Sequence, residues 1–347
     1  MAEISVLMPI YNADKYLYEC LESIKAQSFT NFEVLMIVDG ATDSSLDICS
    51  RFMKEDVRFC VRNQENCGSG KTRNRLIDWA MKSTSKFITW IDADDVVHPL
   101  FLEHLYRTIN EHPECDLIQC RYVNELENLC AIPKQKEVHF TNKELLTEML
   151  GATYGIDFSL LWNKIYRKEI YDNIRIRITD VFSGRMQDDV NILSQIYKIS
   201  KGCILINEYL YYYRIVPNSI QHKKISSVNL EYLYIYRDLY LECKDTEFDS
   251  FANYLGERIL FEIAGKLRGE KNDYIDYVNF YSTLKSIYQE FYTQIDFHCK
   301  RIDLKLLNVL VPKCFYAFRI YAKMYTFRGE ILNQIKIMRT RCIGNKK

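Results

Sequence analysis

ISVLMPIYNADKYLYECLESIKAQSFTNFEVLMIVDG, residues 4–40, decides the fold. Two apolar runs, 4–10 and 32–38, are short and continuous, as expected of strands that are buried on both faces. Between them, apolar residues recur at helical spacing over 14–28. A strand, a helix and a second strand in this order predict a crossover unit whose two strands pair in parallel.

The same alternation of short apolar runs and helical patterns continues to residue 120. Crossover units of this kind build one sheet that is covered by helices on both faces. We therefore predict an α/β, Rossmann-like fold with a mostly parallel sheet. The remaining predicted elements are strands at 58–61, 87–91 and 116–120, a helix that Asp43 or Ser44 caps, a helix over 69–83, and a helix over 101–111 that begins at Pro99.

The pattern loosens beyond residue 122, and we place a domain boundary near 225. Thr141 and Glu144 form a capping box, which predicts a helix to about residue 150. One or two strands are expected within 204–213, and long helical stretches follow from about 228. The predicted organisation is an α/β domain over 1–225, with halves at 1–120 and 121–225, and a helical region over 226–347.

Composition indicates a globular protein in a reducing environment. The 347 residues are 48% hydrophobic and 14% aromatic, which argues against disorder. Twelve cysteines occur without a C-x-x-C pair, so buried thiols in a reducing cytosol are favoured over a zinc site or a disulfide framework. No uncharged stretch approaches the roughly 18 residues of a spanning helix, so we expect neither a signal peptide nor a transmembrane segment.

Charge is distributed unevenly along the chain although the net charge is zero. Residues 300–347 contain twelve Lys or Arg and only two acidic residues. Aliphatic and aromatic residues alternate there with basic ones, as in helices that lie on an anionic leaflet. We expect this segment to contact an anionic membrane surface or another subunit, and a helix packed on the chain's own first domain is the alternative. No nucleic-acid-binding module accompanies the charge.

Acidic residues follow two of the predicted strands at the points where these strands end. Asp39 follows the second strand, and Asp92, Asp94 and Asp95 follow the fourth. In parallel α/β sheets, ligands bind beyond the carboxyl ends of the strands. The D-x-D spacing of Asp92 and Asp94 allows two carboxylates to share one hard cation, Mn²⁺ or Mg²⁺, together with substrate phosphates. An acidic turn that caps the following helix is the alternative.

Gly68-Ser-Gly-Lys-Thr72 resembles the end of a phosphate-binding P-loop. The full motif, G-x-x-x-x-G-K-[ST], requires a glycine where this chain has Glu65. A carboxylate there would repel phosphates, and the strand before it is short and polar. We therefore reject a nucleoside triphosphatase.

Several motifs together resemble family 2 glycosyltransferases. The opening stretch is similar to that family's first strand with Pro-x-Tyr-Asn, its first helix, and a second strand that ends in an acidic D-D-G-S motif. The resemblance covers about residues 3–222. It continues, in order, through N-C-G-S-G at 66–70, T-R-N at 72–74, I-D-A-D-D at 91–95, L-L-W-N-K-I-Y-R-K-E-I at 160–170, Q-D-D at 187–189 and Y-Y-Y-R-I-V-P-N-S-I at 211–220.

This resemblance implies a GT-A fold and an inverting transfer, in which an acceptor hydroxyl displaces a nucleoside diphosphate from a sugar. Residues 1–120 would form the nucleotide-sugar half and 121–225 the acceptor half. The resemblance places Asp39 at the uracil base, Asp92 at the ribose or a metal-bound water, and Asp94 on the cation that bridges the diphosphate. The other residues that it places in the nucleotide-sugar pocket are Pro9, Tyr11, Asn12, Arg73 and Ala93, of which Arg73 fits a surface helix equally well.

The resemblance also implies a general base, because direct displacement needs a group that takes the acceptor's proton. The second acid of the family's E-D pair is the usual base, which favours Asp189 over Asp188, and a pair that caps the following helix is the alternative. Such a base contributes roughly 10²–10⁴-fold. The chain departs from the family at Val38, where a second acid is usual, at Ala41 in place of Ser, and at Val216, where many members carry a His metal ligand.

The sequence thus predicts a metal-dependent inverting glycosyltransferase that uses a UDP-sugar donor. Its acceptor would be a hydroxyl of a glycan or lipid-linked acceptor in surface polysaccharide synthesis, and the transferred group a hexosyl or N-acetylhexosaminyl unit. We expect a cytoplasmic protein, peripheral on the inner face of the cell membrane, and a homo-oligomer is compatible with this. The alternatives are a catalytically silent sugar-nucleotide-binding assembly subunit and a nucleotidyltransferase, which ordinarily needs a Gly-rich basic loop after the first strand.

Overall fold

The structure is a computed structural model that describes residues 2–131, 136–151, 157–172, 174, 187–216, 230, 232–268 and, further on, 283, 284, 286, 287, 290, 291 and 295. The chain divides into two compact units, Met1–His222 and Lys223–Lys347. The predicted membrane or subunit contact over 300–347 lies outside the described residues, as does the side chain of Asp188.

The first unit begins with the predicted alternation of strands and helices. Its first strand pairs in parallel with the second and the fourth, and the second strand pairs in parallel with the third. The side chains of the first two strands are almost all buried, as their continuous apolar runs require. These elements are β1 (Ile4–Ile10), α1 (Asp14–Lys25), β2 (Phe32–Asp39), α2 (Ser45–Glu55), β3 (Phe59–Gln64), α3 (Ser69–Met81), β4 (Phe87–Trp90) and, later in the chain, α4 (Phe101–Glu111).

The part of this unit beyond β4 extends the same sheet with mixed strand directions. It contributes β5 (Val96–Val97), β6 (Leu117–Val123), β7 (Val138–Phe140), α5 (Asn142–Gly151), β8 (Lys164–Arg167), α6 (Gln187–Ile199) and β9 (Cys203–Tyr212). Across the described residues the strand order is β3-β2-β1-β4-β8-β6-β9-β5, with β7 also paired to β9. The parallel half is as predicted, and β8 makes the whole sheet mixed because it lies antiparallel to both β4 and β6.

Helix starts test three of the local predictions. The capping box is confirmed, since the backbone N–H of Thr141 donates to Glu144 Oε2 at 2.8 Å and that of Glu144 to Thr141 Oγ1 at 3.4 Å. Asp43 Oδ1 accepts the N–H of Ser45, 3.0 Å away, at the start of α2. The start at Pro99 is wrong: α4 begins at Phe101, and the Pro99 carbonyl instead accepts the backbone N–H of Ser28 at 2.9 Å.

The described part of the second unit is helical, as predicted. Helices α7 (Tyr232–Cys243) and α8 (Asp249–Arg268) pack against each other. An ion pair between Arg237 and Glu290, 2.7 Å long, adds a link to a later segment of this unit. Among the described residues, no helix of either unit is long and apolar enough to cross a membrane.

The loops that follow β1 and β2 are bonded to each other at the carboxyl end of the sheet. Asn12 adopts a left-handed φ of 49°, and its Oδ1 accepts the backbone N–H of Thr42 at 2.8 Å. Gly40 has a φ of 65°, and a Cβ placed there would lie 2.5 Å from the backbone N of Asn66. The position therefore requires glycine both for its backbone conformation and for the close approach of a third loop.

We predict that Gly40→Ala destabilises the protein by about 1–3 kcal/mol, because it adds left-handed strain and a backbone clash. Ala41→Ser is the matched control, since it adds one atom at the next position, where φ is negative, and should change stability by less than about 0.5 kcal/mol. Urea unfolding checks both. Equal midpoints for Gly40→Ala and the parent protein would contradict this description of the loop.

Candidate functional site

Asp39 lies at the end of β2 with its carboxylate held by the following loops. Its Oδ1 accepts the side-chain amide of Gln64 at 2.7 Å and the backbone N–H of Cys67 at 2.9 Å, and its Oδ2 accepts the N–H of Gly68 at 3.0 Å. The residue is 4% exposed. Because each carboxylate oxygen has two acceptor sites, Oδ2 retains capacity for one further donor.

Arg73 connects the acidic end of β4 to the second half of the unit. Its Nη1 lies 2.5 Å from Asp189 Oδ1, and its Nη2 lies 3.7 Å from Asp92 Oδ1. Arg73 projects from α3, and its side chain is only 12% exposed. The guanidinium face also lies 6.0 Å from the ring of Trp90, the last residue of β4. One cation thus lies between two carboxylates that are 97 positions apart in the chain.

Asp189 reaches this cluster from the first turn of α6. Its Oδ2 accepts the backbone N–H of Leu161 at 3.3 Å, just before β8, while Oδ1 binds Arg73. The residue is 7% exposed. The contact with Leu161 connects α6 to the segment that leads into β8, which itself pairs with β4 beside Asp92. Pairing of β8 with β4 therefore brings Asp189 to the rim.

The electrostatics of Asp92 and Asp94 follow first from burial and then from the neighbouring charges. Burial raises the pKa of Asp92 to about 7, Arg73 lowers it, and the neighbouring Asp189 and Asp94 raise it. Burial also raises the pKa of Asp94, and the Arg214 guanidinium partly offsets this shift. Two desolvated carboxylates that repel each other are a donor set that a hard divalent cation stabilises. The residues present therefore fit Mn²⁺ or Mg²⁺, with the remaining positions left to phosphate and water.

Asp95, the third acid of the stretch, is fully buried and has a structural role in this loop. Its Oδ2 accepts the hydroxyl of Tyr211 at 2.7 Å, and its Oδ1 accepts the backbone N–H of Arg214 at 2.9 Å. The Tyr211 hydroxyl in turn accepts the N–H of Asp92 at 3.2 Å. Asp95 thus fastens the end of β9 to the acidic loop. The alternative that this acidic turn caps the following helix does not hold for Asp95, because its carboxylate bonds to Tyr211 and Arg214.

Arg214 is a residue of this rim that the sequence reasoning passed over. Its Nε donates to the Asp94 carbonyl at 2.8 Å, and its Nη2 lies 2.5 Å from Glu19 on α1. The signal that could have identified it is its place in the Y-Y-Y-R motif, which was used only for the resemblance.

The tryptophan of the 160–170 motif sits between two tyrosines of the 211–220 motif. The ring of Trp162 stacks on Tyr211 with centroids 4.5 Å apart and on Tyr213 at 5.1 Å, with interplanar angles of 18° and 7°. Tyr122 contacts the same indole edge-on at 4.9 Å. The two motifs therefore meet as one aromatic layer next to the Asp95 bonds.

The remaining predicted pocket residues lie along the same rim. Tyr11 is 56% exposed, Ala93 is buried, and Pro9 is half-buried near the end of β1, next to Ile37 of β2. Asn12 binds the loop after β2. The cluster that the structure brings into direct contact is formed by Arg73, Asp92 and Asp189.

A known protein family matches this chain over more than half of its length. The model described as Glycosyl transferase family 2 matches residues 5–188. The chain belongs to this family. Its match takes in β1 from Ser5 onward, β2 to β4, Asp39, Arg73 and the acidic loop.

Similar proteins from bacteria are also named as glycosyltransferases. The chain is 31% identical over 230 residues to the glycosyltransferase GlyG of Streptococcus pneumoniae, which corresponds to 62% of this chain and 72% of GlyG. It is 30% identical to the putative glycosyltransferase EpsH of Bacillus subtilis, over 62% of each chain. The match to S. pneumoniae GlyA, at 29% identity, spans 63% of this chain and only 31% of that protein.

A solved structure shows the same architecture over most of the chain. S. aureus TarS 1–349, in complex with UDP-GlcNAc, superposes with a TM-score of 0.69 at 18% identity, covering 95% of this chain and 92% of that one. Together with the family match, this likeness confirms the predicted GT-A fold.

We predict that Arg73→Met destabilises the protein by about 3 kcal/mol, because the buried carboxylate of Asp189 and the partly buried carboxylate of Asp92 lose their cation. Since burial raises the folded-state pKa of Asp92 to about 7, above its unfolded value of about 3.9, ionisation of Asp92 disfavours folding as pH rises. Without Arg73 that pKa rises further, so both proteins lose stability in parallel up to about pH 6, and the deficit should grow between pH ~6 and pH ~9, where Asp92 ionises in the folded parent protein before it does so in the variant.

Urea unfolding over this pH range measures the deficit. Lys71→Met, which replaces an exposed basic residue earlier on α3, is the matched control and should unfold like the parent protein. A deficit that shrinks as pH rises would contradict the assigned electrostatics.

Proposed function

We propose that the protein is a metal-dependent inverting glycosyltransferase that moves a hexosyl or N-acetylhexosaminyl group from a UDP-sugar to a hydroxyl of a glycan or lipid-linked acceptor. The observation that carries the proposal is the convergence of Asp92, Arg73 and Asp189 at the carboxyl rim of the sheet. An acidic pair for a cation, a cation for phosphate and a carboxylate base are the groups that such a displacement requires.

The donor would lie across the ends of β2, β1 and β4. Asp39 ends β2 and Asp92 follows β4, with β1 between them, so the two acids are about 10 Å apart across the strands. The remaining acceptor capacity of Asp39 Oδ2 suits the imide N–H of uracil. Tyr11, Asn12 and Pro9, on β1 and its loop, would lie along the nucleoside. This arrangement directs the diphosphate toward Asp92 and Asp94.

In the proposed reaction, the acceptor oxygen attacks the anomeric carbon as the bond from that carbon to the diphosphate oxygen breaks. Asp189 takes the hydroxyl proton, and UDP leaves with the bonding electrons. Asp94 and Asp92 would hold Mn²⁺ or Mg²⁺, which when bound neutralises charge on the departing diphosphate. Arg73 would add positive charge at the same place and hold Asp189 in position. Asp188 is the alternative candidate for the general base.

Support for a UDP-sugar donor comes from the fold and from the acid at β2. S. aureus TarS, which shares this fold, was solved with UDP-GlcNAc. Surface polysaccharide synthesis is the pathway proposed for the acceptor. We further propose that residues 1–225 form the catalytic domain and that 226–347 form a helical region. The twelve basic residues of its segment 300–347 would attach a cytoplasmic enzyme to the anionic inner face of the cell membrane or to a second subunit.

A catalytically silent sugar-nucleotide-binding subunit is the second candidate. It would need Asp39 and the diphosphate-binding groups but not a carboxylate at 189. The location of Asp189 on Arg73, within the buried cluster, favours the enzyme. Catalysis, rather than nucleotide binding, therefore separates the two candidates.

We predict that Asp189→Asn lowers the rate of sugar transfer by roughly 10²–10⁴-fold, because the amide cannot take the acceptor's proton. UDP binding should be retained, since Asp39, Asp92 and Asp94 are unchanged. The measurement is UDP release from a panel of UDP-sugars with Mn²⁺ and glycan acceptors, alongside calorimetric UDP binding.

Asp47→Asn is the control, because Asp47 is an exposed acid on α2 and its replacement should leave transfer unchanged. Full transfer by Asp189→Asn would rule out this residue as the base. UDP binding without transfer by the parent protein with every donor and acceptor would favour the silent subunit.

A further inference from the structure

A second cluster of metal-ligating side chains lies at the opposite rim of the sheet. The ligand atoms of Glu114, Cys115 and His139 all lie within 4.8 Å of one another. Cys115 is 6% exposed, whereas the other two side chains are exposed. Among the described residues, this is the group of three or more His, Cys, Asp or Glu that meets the spacing of a metal site.

The cluster is far from the proposed catalytic groups because of strand direction. β6 is antiparallel to β8, which is antiparallel to β4, so β6 runs in the same direction as β4. Glu114 and Cys115 come just before β6 begins, whereas Asp92 comes just after β4 ends. The two groups therefore lie at opposite ends of the sheet, and the second cluster takes no part in the glycosyl transfer described above.

The start of β9 brings the two halves of the cluster together. Cys203 pairs with Leu117 of β6 on one side and with Phe140 of β7 on the other. Cys115 lies two residues before Leu117, and His139 directly precedes Phe140. These pairings, and not sequence spacing, place the thiol beside the imidazole.

The backbone that carries Glu114 and Cys115 is fixed by Arg167. This guanidinium donates to the carbonyls of Cys115 at 2.9 Å, Ile109 at 2.7 Å and His112 at 3.3 Å. The N–H of Cys115 also donates to the His112 carbonyl at 3.1 Å. The turn is thus held from within the protein, which fixes the backbone that carries two of the candidate ligands.

His112 lies against the exposed carboxylate of Glu114 and would orient it. His112 Nδ1 lies 2.8 Å from Glu114 Oε1, and the His112 ring lies edge-on to His139 with centroids 5.5 Å apart. Glu137 approaches the other nitrogen of His112 at 3.7 Å. A histidine between two carboxylates next to candidate ligands is the arrangement that supports ligands in metal sites.

We propose that Cys115, His139 and Glu114 bind one zinc ion, with His112 orienting Glu114 and the fourth position left to water. Zinc bonds of ~2.3 Å to sulfur and ~2.0–2.1 Å to nitrogen or oxygen put tetrahedral ligand atoms roughly 3.3–3.6 Å apart. The three ligand atoms, which lie within 4.8 Å of one another, would therefore reach these distances after side-chain movements of about 1 Å. A thiolate and an imidazole select zinc over Mn²⁺ or Mg²⁺, which prefer oxygen.

Binding would tie β7 to the turn before β6. On binding, the Cys115 thiol releases its proton to solvent and the thiolate sulfur joins the ion, so zinc affinity should fall as pH falls. No oxidant or reductant is involved. The site would join these two segments away from the proposed donor and acceptor, so it would take no part in the transfer reaction.

The test titrates the purified, chelator-treated full-length chain with Co²⁺ as a spectroscopic probe and then displaces it with Zn²⁺. We expect one equivalent to give a thiolate-to-cobalt charge-transfer band, which an oxygen-only site at Asp92 and Asp94 cannot produce. The band should be absent in Cys115→Ser and unchanged in Cys60→Ser, a half-exposed cysteine on β3 that serves as control.

His139→Ala provides the second variant, because this side chain is exposed and its loss leaves the core intact. We expect its Co²⁺ affinity to fall by at least the ~10–100-fold seen when metal-site partners are removed. Absence of the band in the parent protein, or an unchanged affinity in folded His139→Ala, would overturn the proposal. The result is independent of UDP binding and transfer, so the proposed function can fail or hold separately.

Discussion

Repulsion among carboxylates at the carboxyl rim of the sheet is the constraint on which the rest of the site depends. Asp92 and Asp94 come from one loop and Asp189 from a helix in the other half of the unit, and Arg73 lies between Asp92 and Asp189. One guanidinium offsets only part of this charge, since burial still raises the pKa of Asp92 to about 7. A divalent cation would offset the remaining negative charge and so allow an anionic diphosphate to bind beside it.

The strands added after β4 position this cluster. β8 pairs with β4 and, through Leu161, fixes where Asp189 lies. β9 is fastened to the acidic loop by the bonds of Asp95 to Tyr211 and Arg214. Of the three acids in the stretch I-D-A-D-D, the most deeply buried therefore has a structural role, and it leaves the other two to face the rim. The same β9 strand, at its other end, brings Cys115 and His139 together.

The sequence was most informative where structure is local. The alternation over 4–120 was sufficient to predict β1 to β4 and the helices between them, because each apolar run is buried by its own crossover unit. It was insufficient for β8, whose four residues have no periodicity that separates a strand from a turn. Strand-end logic located Asp39, Asp92 and Asp94 at one rim. It could not decide whether Arg73 was a surface residue, because its partner Asp189 is 116 positions away.

The proposed zinc site also depends on a contact between residues that are far apart in the sequence. Glu114 and Cys115 are adjacent, but His139 joins them only through pairing on β9, so cysteine spacing favoured buried thiols there. The described cysteines are free, and six of them are buried. Residues brought together by a third strand leave no signal in a single sequence.

The most direct measurement of the central claim is calorimetric titration of UDP with and without Mn²⁺, in the parent protein and in Asp94→Asn. If the acidic loop holds the cation that binds the diphosphate, Mn²⁺ should raise the UDP affinity of the parent protein by at least about tenfold, or ~1.4 kcal/mol. This gain should be lost in Asp94→Asn. Equal UDP affinity with and without Mn²⁺, or an undiminished gain in Asp94→Asn, would contradict the account.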